Sequence, residues 1–277
     1  MSKPLAPGLH IVATPIGNLG DLSTRAAETL RNADRILCED TRVTAKLLQH
    51  IGAKVPMSRY DDHSSEEARE AIVSELADKA IALVSDAGTP LISDPGYKLV
   101  RLARAAGHKV HTVPGPSAVI AALTLAGLPT DRFLFLGFLP AKPKAREDAI
   151  AEVAGIRSTL VLYESGPRLG ASLQALERGL GNREAAVVRE ISKLHEECVT
   201  GSLSKLSERY LETAPKGEIV IVVGPPLESG APGDEELDAA LDDALLRLSP
   251  SRAAAEVAER LKIARKRAYA RALERSR

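Results

Sequence analysis

Short apolar runs, separated by glycine-, proline- and acid-rich loops, recur along the first 226 residues. Between them lie segments whose apolar positions repeat every three to four residues. The runs read as buried strands and the periodic segments as amphipathic helices. In chain order the pattern predicts a strand at 9–13, a glycine loop at 14–22, a helix to about 33, a strand at 35–40 and a helix at about 44–51. A polar loop at 59–65 leads to a helix ending near 78, a strand at 81–84, a long loop to 96, a helix at 97–106, a strand at 109–113 and an apolar helix at 118–126. Strands that alternate with helices predict a mostly parallel sheet, with the loops gathered at its carboxyl edge. Beyond 127 the strands fall at 132–139, 159–164, 185–191, 197–201 and 218–223, with helices near 145–154, 168–180 and 206–213. The fold class expected is α/β in two domains, 1–127 and 128–226. A Pro/Gly linker and a tail of about three helices occupy 227–277.

Composition narrows the class. The chain has 277 residues, 44% hydrophobic and 27% charged, as in ordinary globular proteins. No apolar run approaches a membrane span, and residues 1–8 lack a signal-peptide core, so a cytoplasmic protein with no membrane contact is expected. Cys38 and Cys198 form no CxxC, and each reads as a small apolar residue. His108 and His111 have no further ligands at suitable spacing, so no metal is expected. Formal net charge is zero, but residues 249–277 carry nine Lys/Arg against three Asp/Glu, while 227–248 carry seven acids and one arginine. A basic segment of this kind is either a polyanion contact or a solvated helix face.

Candidate chemistry concentrates in the loops. Val84-Ser85-Asp86-Ala87-Gly88-Thr89-Pro90-Leu91-Ile92-Ser93-Asp94-Pro95-Gly96 follows a strand and precedes a helix. Its glycines and prolines fix the backbone, and Gly88 lets a ligand approach main-chain amides. Pro114-Gly115-Pro116-Ser117 opens the apolar helix, whose free amides at Ser117 and Ala118 can meet polar ligand atoms. The first loop is not GxGxxG and no GK[ST] occurs, so neither a dinucleotide fingerprint nor a P-loop is present. Two charged clusters can serve proton transfer: Glu39-Asp40-Thr41-Arg42 at a strand end, and Arg189-Glu190-Ile191-Ser192-Lys193-Leu194-His195-Glu196-Glu197. Read as a continuing strand, the second cluster puts Arg189, Ile191 and Lys193 on one face and Glu190, Ser192 and Leu194 on the other. Each cluster can equally be a salt-bridged strand end.

ATPIGNLGDL, CEDTR, LVSDAGTPLISDPG, VPGPSA, YESGPR and REISKLHEE occur in that order. Together they closely resemble the ribosomal RNA small subunit methyltransferase I group, within the tetrapyrrole methylase (class III) superfamily. The resemblance covers nearly the whole chain. It implies methyl transfer from S-adenosyl-L-methionine to the ribose 2′-oxygen of a cytidine in small-subunit (16S) ribosomal RNA. It also implies two α/β domains around a cofactor cleft, and a homodimer. Carried over by position, the cofactor contacts fall on Pro15, Asp86, Ala87, Gly88, Thr89, Ser93, Asp94, Pro114, Ser117, Ala118, Leu136 and Gly137. Asp40, Glu190 and Lys193 are the catalytic candidates. Arg42, Arg168, Arg252, Lys262, Arg265, Lys266 and Arg267 are the candidates for contact with RNA, as naked 16S rRNA or in the small ribosomal subunit. The superfamily's GxGPGD-like first loop is replaced here by Pro15-Ile16-Gly17-Asn18-Leu19-Gly20-Asp21, the variant typical of the rRNA subgroup. Two other readings are open: a porphyrinoid methyltransferase, which leaves the basic tail without a task, and a non-catalytic nucleic-acid-binding protein.

Overall fold

The computed structural model describes residues 5–226, 234–261 and 263–276. Residues 5–225 form one compact unit and the tail another.

The first sheet comprises β1 (Gly8–Val12), β2 (Arg35–Cys38), β3 (Met57–Arg59), β4 (Ala80–Leu83) and β5 (Val110–Val113), in the order β3-β2-β4-β1-β5. Every pairing is parallel, as strand–helix alternation predicts. Alternate strand positions feed two cores. Val12, Ile36, Cys38 and Ala82 pack with α1 (Thr24–Asn32) and α2 (Thr41–His50) on one face. Leu9, Ile11, Leu37, Ile81 and Leu83 pack with α3 (Glu66–Glu75) and α4 (Tyr97–Ala105) on the other. Side chains of period two bury both faces of a parallel sheet in this way. Ser23 and Ser65 cap α1 and α3 by accepting from Ala26 N and Ala68 N.

The second sheet comprises β6 (Phe133–Phe138), β7 (Thr159–Ser165), β8 (Glu184–Arg189), β9 (Glu197–Ser202) and β10 (Glu218–Val223), in the order β6-β7-β10-β8-β9. Only β6 and β7 run parallel, and β8 and β9 form an antiparallel pair. The helices α6 (Pro143–Val153), α7 (Gly166–Leu180) and α8 (Leu203–Leu211) cover one face through Ile150, Leu169, Leu173 and Leu206. The other face is covered by α5 (Ala118–Ala126), whose Val119, Ala122, Leu123 and Ala126 meet Val161, Ala186, Val188 and Val220. This differs from the expected boundary at 127. The helix follows the first sheet in sequence but packs on the second, and so binds the two halves into one unit.

Three more differences are local. β3 is a three-residue edge strand that the apolar pattern does not reveal. α2 starts at Thr41 rather than 44, because the Asp40 carboxylate accepts from Arg42 N at 2.8 Å and caps it. Residues 190–196 do not continue a strand. β8 stops at Arg189, and Glu190 (φ 51) and Ser192 (φ 66) turn left-handed, which breaks the alternating faces read from sequence.

The tail has its own alanine-rich core. α9 (Asp234–Leu245), α10 (Pro250–Arg260) and α11 (Arg265–Arg275) meet through Leu237, Leu241, Ala244, Ala254, Val257 and Ala268. Arg267, Arg271 and Arg275 on α11 pair with Asp234, Asp238 and Asp242 on α9. Both series step by four residues, so each lines one stripe of its helix.

Gly166, the first residue of α7, tests the packing. A Cβ there would lie 1.8 Å from the Pro215 carbonyl oxygen. Gly166→Ala is expected to cost about 1–3 kcal/mol, the usual range for overpacking. Chemical denaturation would read this as a lower midpoint at unchanged slope, and an unchanged midpoint would refute the contact.

Candidate active-site cleft

Four loops leave the carboxyl edge of the first sheet and are tied together there. Thr14 and Gly88 exchange two backbone hydrogen bonds, at 2.8 and 3.1 Å, and Thr14 Oγ1 donates to the Ser85 carbonyl at 3.2 Å. Thr89 Oγ1 donates to the Pro116 carbonyl at 2.9 Å, and Asp40 N donates to Asp86 Oδ1 at 3.1 Å. Gly88 adopts φ +81, and a Cβ on it would lie 3.3 Å from the Ile16 side chain. Here glycine supplies both the turn and the clearance. Leu91 (φ 75) and Ser93 (φ 63) hold left-handed backbone without that freedom, a local strain of the type that clusters at functional sites. The topology agrees. β2 leads outward to β3, whereas β4 leads back across β1 to β5, and ligands bind open α/β sheets where such connections diverge.

Above this edge lies a cleft of about 440 Å³, within the roughly 300–1,000 Å³ usual for small-molecule pockets. Ile16, Glu39, Asp86–Thr89, Ile92–Asp94, Ser117 and Ala118 form one wall. Phe138, Tyr163–Ser165, Ile191 and Gly217–Val220 form the other. The second wall is held from behind. Glu164 is buried and accepts from Ser172 Oγ at 2.5 Å and Ser165 N at 2.8 Å.

The electrostatics are acidic. Burial pushes the Glu39 carboxyl up, and the nearby charges of Asp94 and Asp86 add to it. Burial also raises Asp94, with Asp86 contributing and a hydrogen bond from Ser85 opposing. The Tyr163 phenol is pushed up to about 12 by burial and then by Asp94 and Glu218. Glu39, Asp86 and Asp94, three of the five carboxylates that line the cavity, favour a cationic ligand.

Of the residues expected at a cofactor, Asp86, Ala87, Gly88, Thr89, Ser93, Asp94, Ser117 and Ala118 line the cleft. Pro15 precedes the lining residue Ile16, and Pro114 lies just past the end of β5. Gly137 (φ 64) stands 3.2 Å, by its missing Cβ, from Ser93 Oγ, while Leu136 packs into the second core. Of the catalytic candidates, Lys193 donates to Glu190 and Glu218, both at 3.1 Å. Its stem packs on Gly17, where a Cβ would lie 2.5 Å away. Ser192 Oγ donates to Asp21 Oδ2, so this turn is fastened to the first loop. Burial depresses the Lys193 ammonium, but the two carboxylates outweigh it and the net shift is upward. Glu190, which lines a neighbouring cavity, and Lys193 both lie outside the lining of the cleft, and so does Asp40. Its carboxylate is bound by Arg42 at 2.5 Å, and that hydrogen bond holds it at about 2, too acidic to accept a proton readily at neutral pH. Arg168 is turned inward, to the Leu139 carbonyl and to Glu164 at 3.4 Å. In the tail Arg267 is paired with Asp234, no ion pair is seen for Arg252, Arg265 or Lys266 among the described residues, and Lys262 lies outside them.

Residues 8–207 match the family model described as Tetrapyrrole (Corrin/Porphyrin) Methylases, and 231–276 match one described as RsmI C-terminal HTH domain. A protein of Erythrobacter litoralis named ribosomal RNA small subunit methyltransferase I is 56% identical over 273 residues, covering 99% of this chain and 97% of its own. One of the same name from Mesorhizobium japonicum is 44% identical over 276 residues, covering 99% and 94%. The chain belongs to this family. Ribosomal RNA small subunit methyltransferase I proteins share their fold with distant solved structures. Diphthine synthase has TM-score 0.59 at 16% identity, covering 78% of this chain and 89% of its own. A uroporphyrin-III C-methyltransferase of Thermus thermophilus has TM-score 0.56 at 20%, covering 78% and 93%. Members of the family are methyltransferases whose donor is S-adenosyl-L-methionine.

Sequence reading singled out the first wall but missed most of the second. Tyr163–Ser165 stood out as a motif, whereas Ile219 and Val220 look like any buried strand and enter the cleft only through the fold.

The raised Glu39 carboxyl gives a stability test. In the unfolded chain it ionises near the ordinary glutamate value of about 4.3. The folded state binds that proton more tightly, so ionised Glu39 lowers stability as pH rises through the folded midpoint. Glu39→Gln is therefore expected to melt at a higher temperature than the parent at pH 7–8, with the gap closing toward pH 4. A gap independent of pH would exclude the charge as its cause.

Proposed function

We propose that this chain transfers a methyl group from S-adenosyl-L-methionine to the ribose 2′-oxygen of a cytidine in small-subunit (16S) ribosomal RNA. The observation that carries the reading is end-to-end similarity: relatives named for that RNA match 99% of the chain, tail included. The porphyrinoid methylases share only the fold, at 20% identity or so.

The cleft fits the donor. When bound, it supplies an electrophilic methyl on a sulfonium cation. The Glu39, Asp86 and Asp94 carboxylates suit that charge, which is absent from the product. Amides at the start of α5, where Ser117 makes no side-chain cap, offer hydrogen bonds. Asp86, Ala87, Gly88, Thr89, Ser93, Asp94, Ser117 and Ala118 would hold it, with Pro15 and Pro114 shaping the loops. Leu136 and Gly137 bring β6 against Ser93. Held between two walls, the methyl is oriented and kept from water.

The acceptor hydroxyl is weakly acidic, so its proton has to be managed. Lys193 stays charged and favours the developing alkoxide, and Glu190, 3.1 Å away, takes the proton. Asp40 positions α2 and Arg42. Arg42, with 88% of its side chain exposed, reaches for phosphate, as do Arg252, Arg265 and Lys266 in the tail. Arg168 acts within the fold, fixing α7 to β6. No helix among the described residues is long and apolar enough to cross a membrane, and no cluster of potential metal ligands occurs among them. The enzyme works in the cytoplasm, as a homodimer. Tyr97 and Leu194, at 61% and 93% exposure, are candidates for the pairing surface, and light scattering at twice the chain mass would support it.

Small ribosomal subunits from cells lacking the activity, incubated with the protein and radiolabelled donor, are expected to gain one ribose-methylated cytidine. Unlabelled RNA with donor binding intact would overturn the assignment. Lys193→Ala and Glu190→Gln are expected to lower kcat by about 10²-fold or more with donor affinity preserved. Asp94→Asn is expected to weaken binding of the donor more than of its demethylated product, by calorimetry. An equal loss for both would remove the charge argument.

A further inference from the structure

A second cavity, of about 670 Å³, lies beside the cleft, and of the groups given a chemical role above it is lined by Glu190 alone. The two are separated by the thickness of one chain: Lys216 lines one, Gly217 and Glu218 line the other, and Glu190 closes the wall between them. A Cβ on Gly217 would lie 2.1 Å from Glu190 Oε1, so the partition is tightly packed.

Its lining is cationic on balance. Arg189 and Arg209 share one carboxylate, Glu197, at 2.5 and 3.5 Å. Glu190 is engaged by Lys193. Lys216 makes no ion pair among the described residues. Beneath them Tyr210 is 6% exposed, and its buried hydroxyl finds no acceptor among the described residues, its neighbour Arg209 being itself a donor. The Arg209 guanidinium sits 5.6 Å from the centroid of the Tyr210 ring. A buried hydroxyl rarely stays unsatisfied, and here it lies beside surplus positive charge at the floor of an open cavity. An anion with several acceptor oxygens would satisfy both.

We propose that this cavity is a subsite for an RNA phosphodiester flanking the ribose held in the cleft, bound by Lys216 and Arg209 with Tyr210 donating from below. It rests on the RNA-methylation reading and deepens it. RNA crossing the Glu190–Lys193 wall passes from one cavity directly into the other. The contact is to the backbone, so it fixes where the strand lies without reading a base.

The test uses the full chain and small ribosomal subunits, with affinity measured across a salt series. Lys216→Ala is expected to raise KM for subunits about 3–10-fold with the loss confined to KM, and to make the salt dependence of binding shallower by about 0.7–0.9, the slope of one phosphate contact. Lys216→Arg is expected to recover most of it. Tyr210→Phe is expected to raise KM in the same direction without changing the slope. Lys205→Ala, on the exposed side of α8, is the control and is expected to leave the slope unchanged. Methyl transfer by the parent protein with equal slopes for Lys216→Ala and the parent would overturn the subsite alone. An equal effect from Lys205→Ala would overturn it too, reducing it to surface charge. Absence of any methyl transfer by the parent would remove the RNA reading and the subsite together.

Discussion

The two hydrogen bonds between Thr14 and Gly88 are the constraint on which the cleft depends. β1 and β4 are already neighbours in the sheet, and this pair extends their alliance past the last strand residue into the loops. Without it the loop after β4 would be a long excursion held chiefly by bonds that involve side chains, at Ser85, Asp86 and Thr89. With it, Ile16 meets Gly88, the carboxylates of Asp86 and Asp94 come to one cavity, and Thr89 reaches Pro116. Backbone bonds serve better than side chains here, because each loop satisfies the other's polar groups while leaving side chains for the ligand.

Much of this was legible in the chain. Apolar runs bounded by glycine and proline located the long strands, since a fully buried strand has few other ways to be written. The loop from Val84 to Gly96 declared itself by holding more polar and turn residues than a connection needs. What stayed hidden has physical causes. β3 is short and lies at an edge, so no face of it needs an apolar pattern. Glu190 and Ser192 turn left-handed without being glycine, which no local preference reveals. The attachment of α5 to the second sheet is a long-range choice that its uniformly apolar sequence leaves open. The far wall of the cleft, Ile219 and Val220 among it, is assembled by topology alone.

Charge is handled differently in each part. In the cleft, acids are gathered with no arginine or lysine in the lining. In the tail, the opposite signs that sequence separated into two blocks are brought back together, arginine against aspartate along α9 and α11. A basic run in sequence is thus no measure of the positive surface presented. Part of it serves to hold three short helices around a core built largely of alanine, where apolar burial alone is small.

The position of β1 has a consequence for how the chain comes into being. It is the first strand made, yet its neighbours in the sheet are β4 and β5, which begin at Ala80 and Val110. At synthesis rates of roughly 5–20 residues per second, Leu9, Ile11 and Val12 wait seconds for their partners to be translated. During that interval a central strand, with Leu9 and Ile11 on one face and His10 and Val12 on the other, is an open edge. The order of strands that places the cleft so well therefore leaves β1 waiting longer for a first neighbour than any other strand of its sheet.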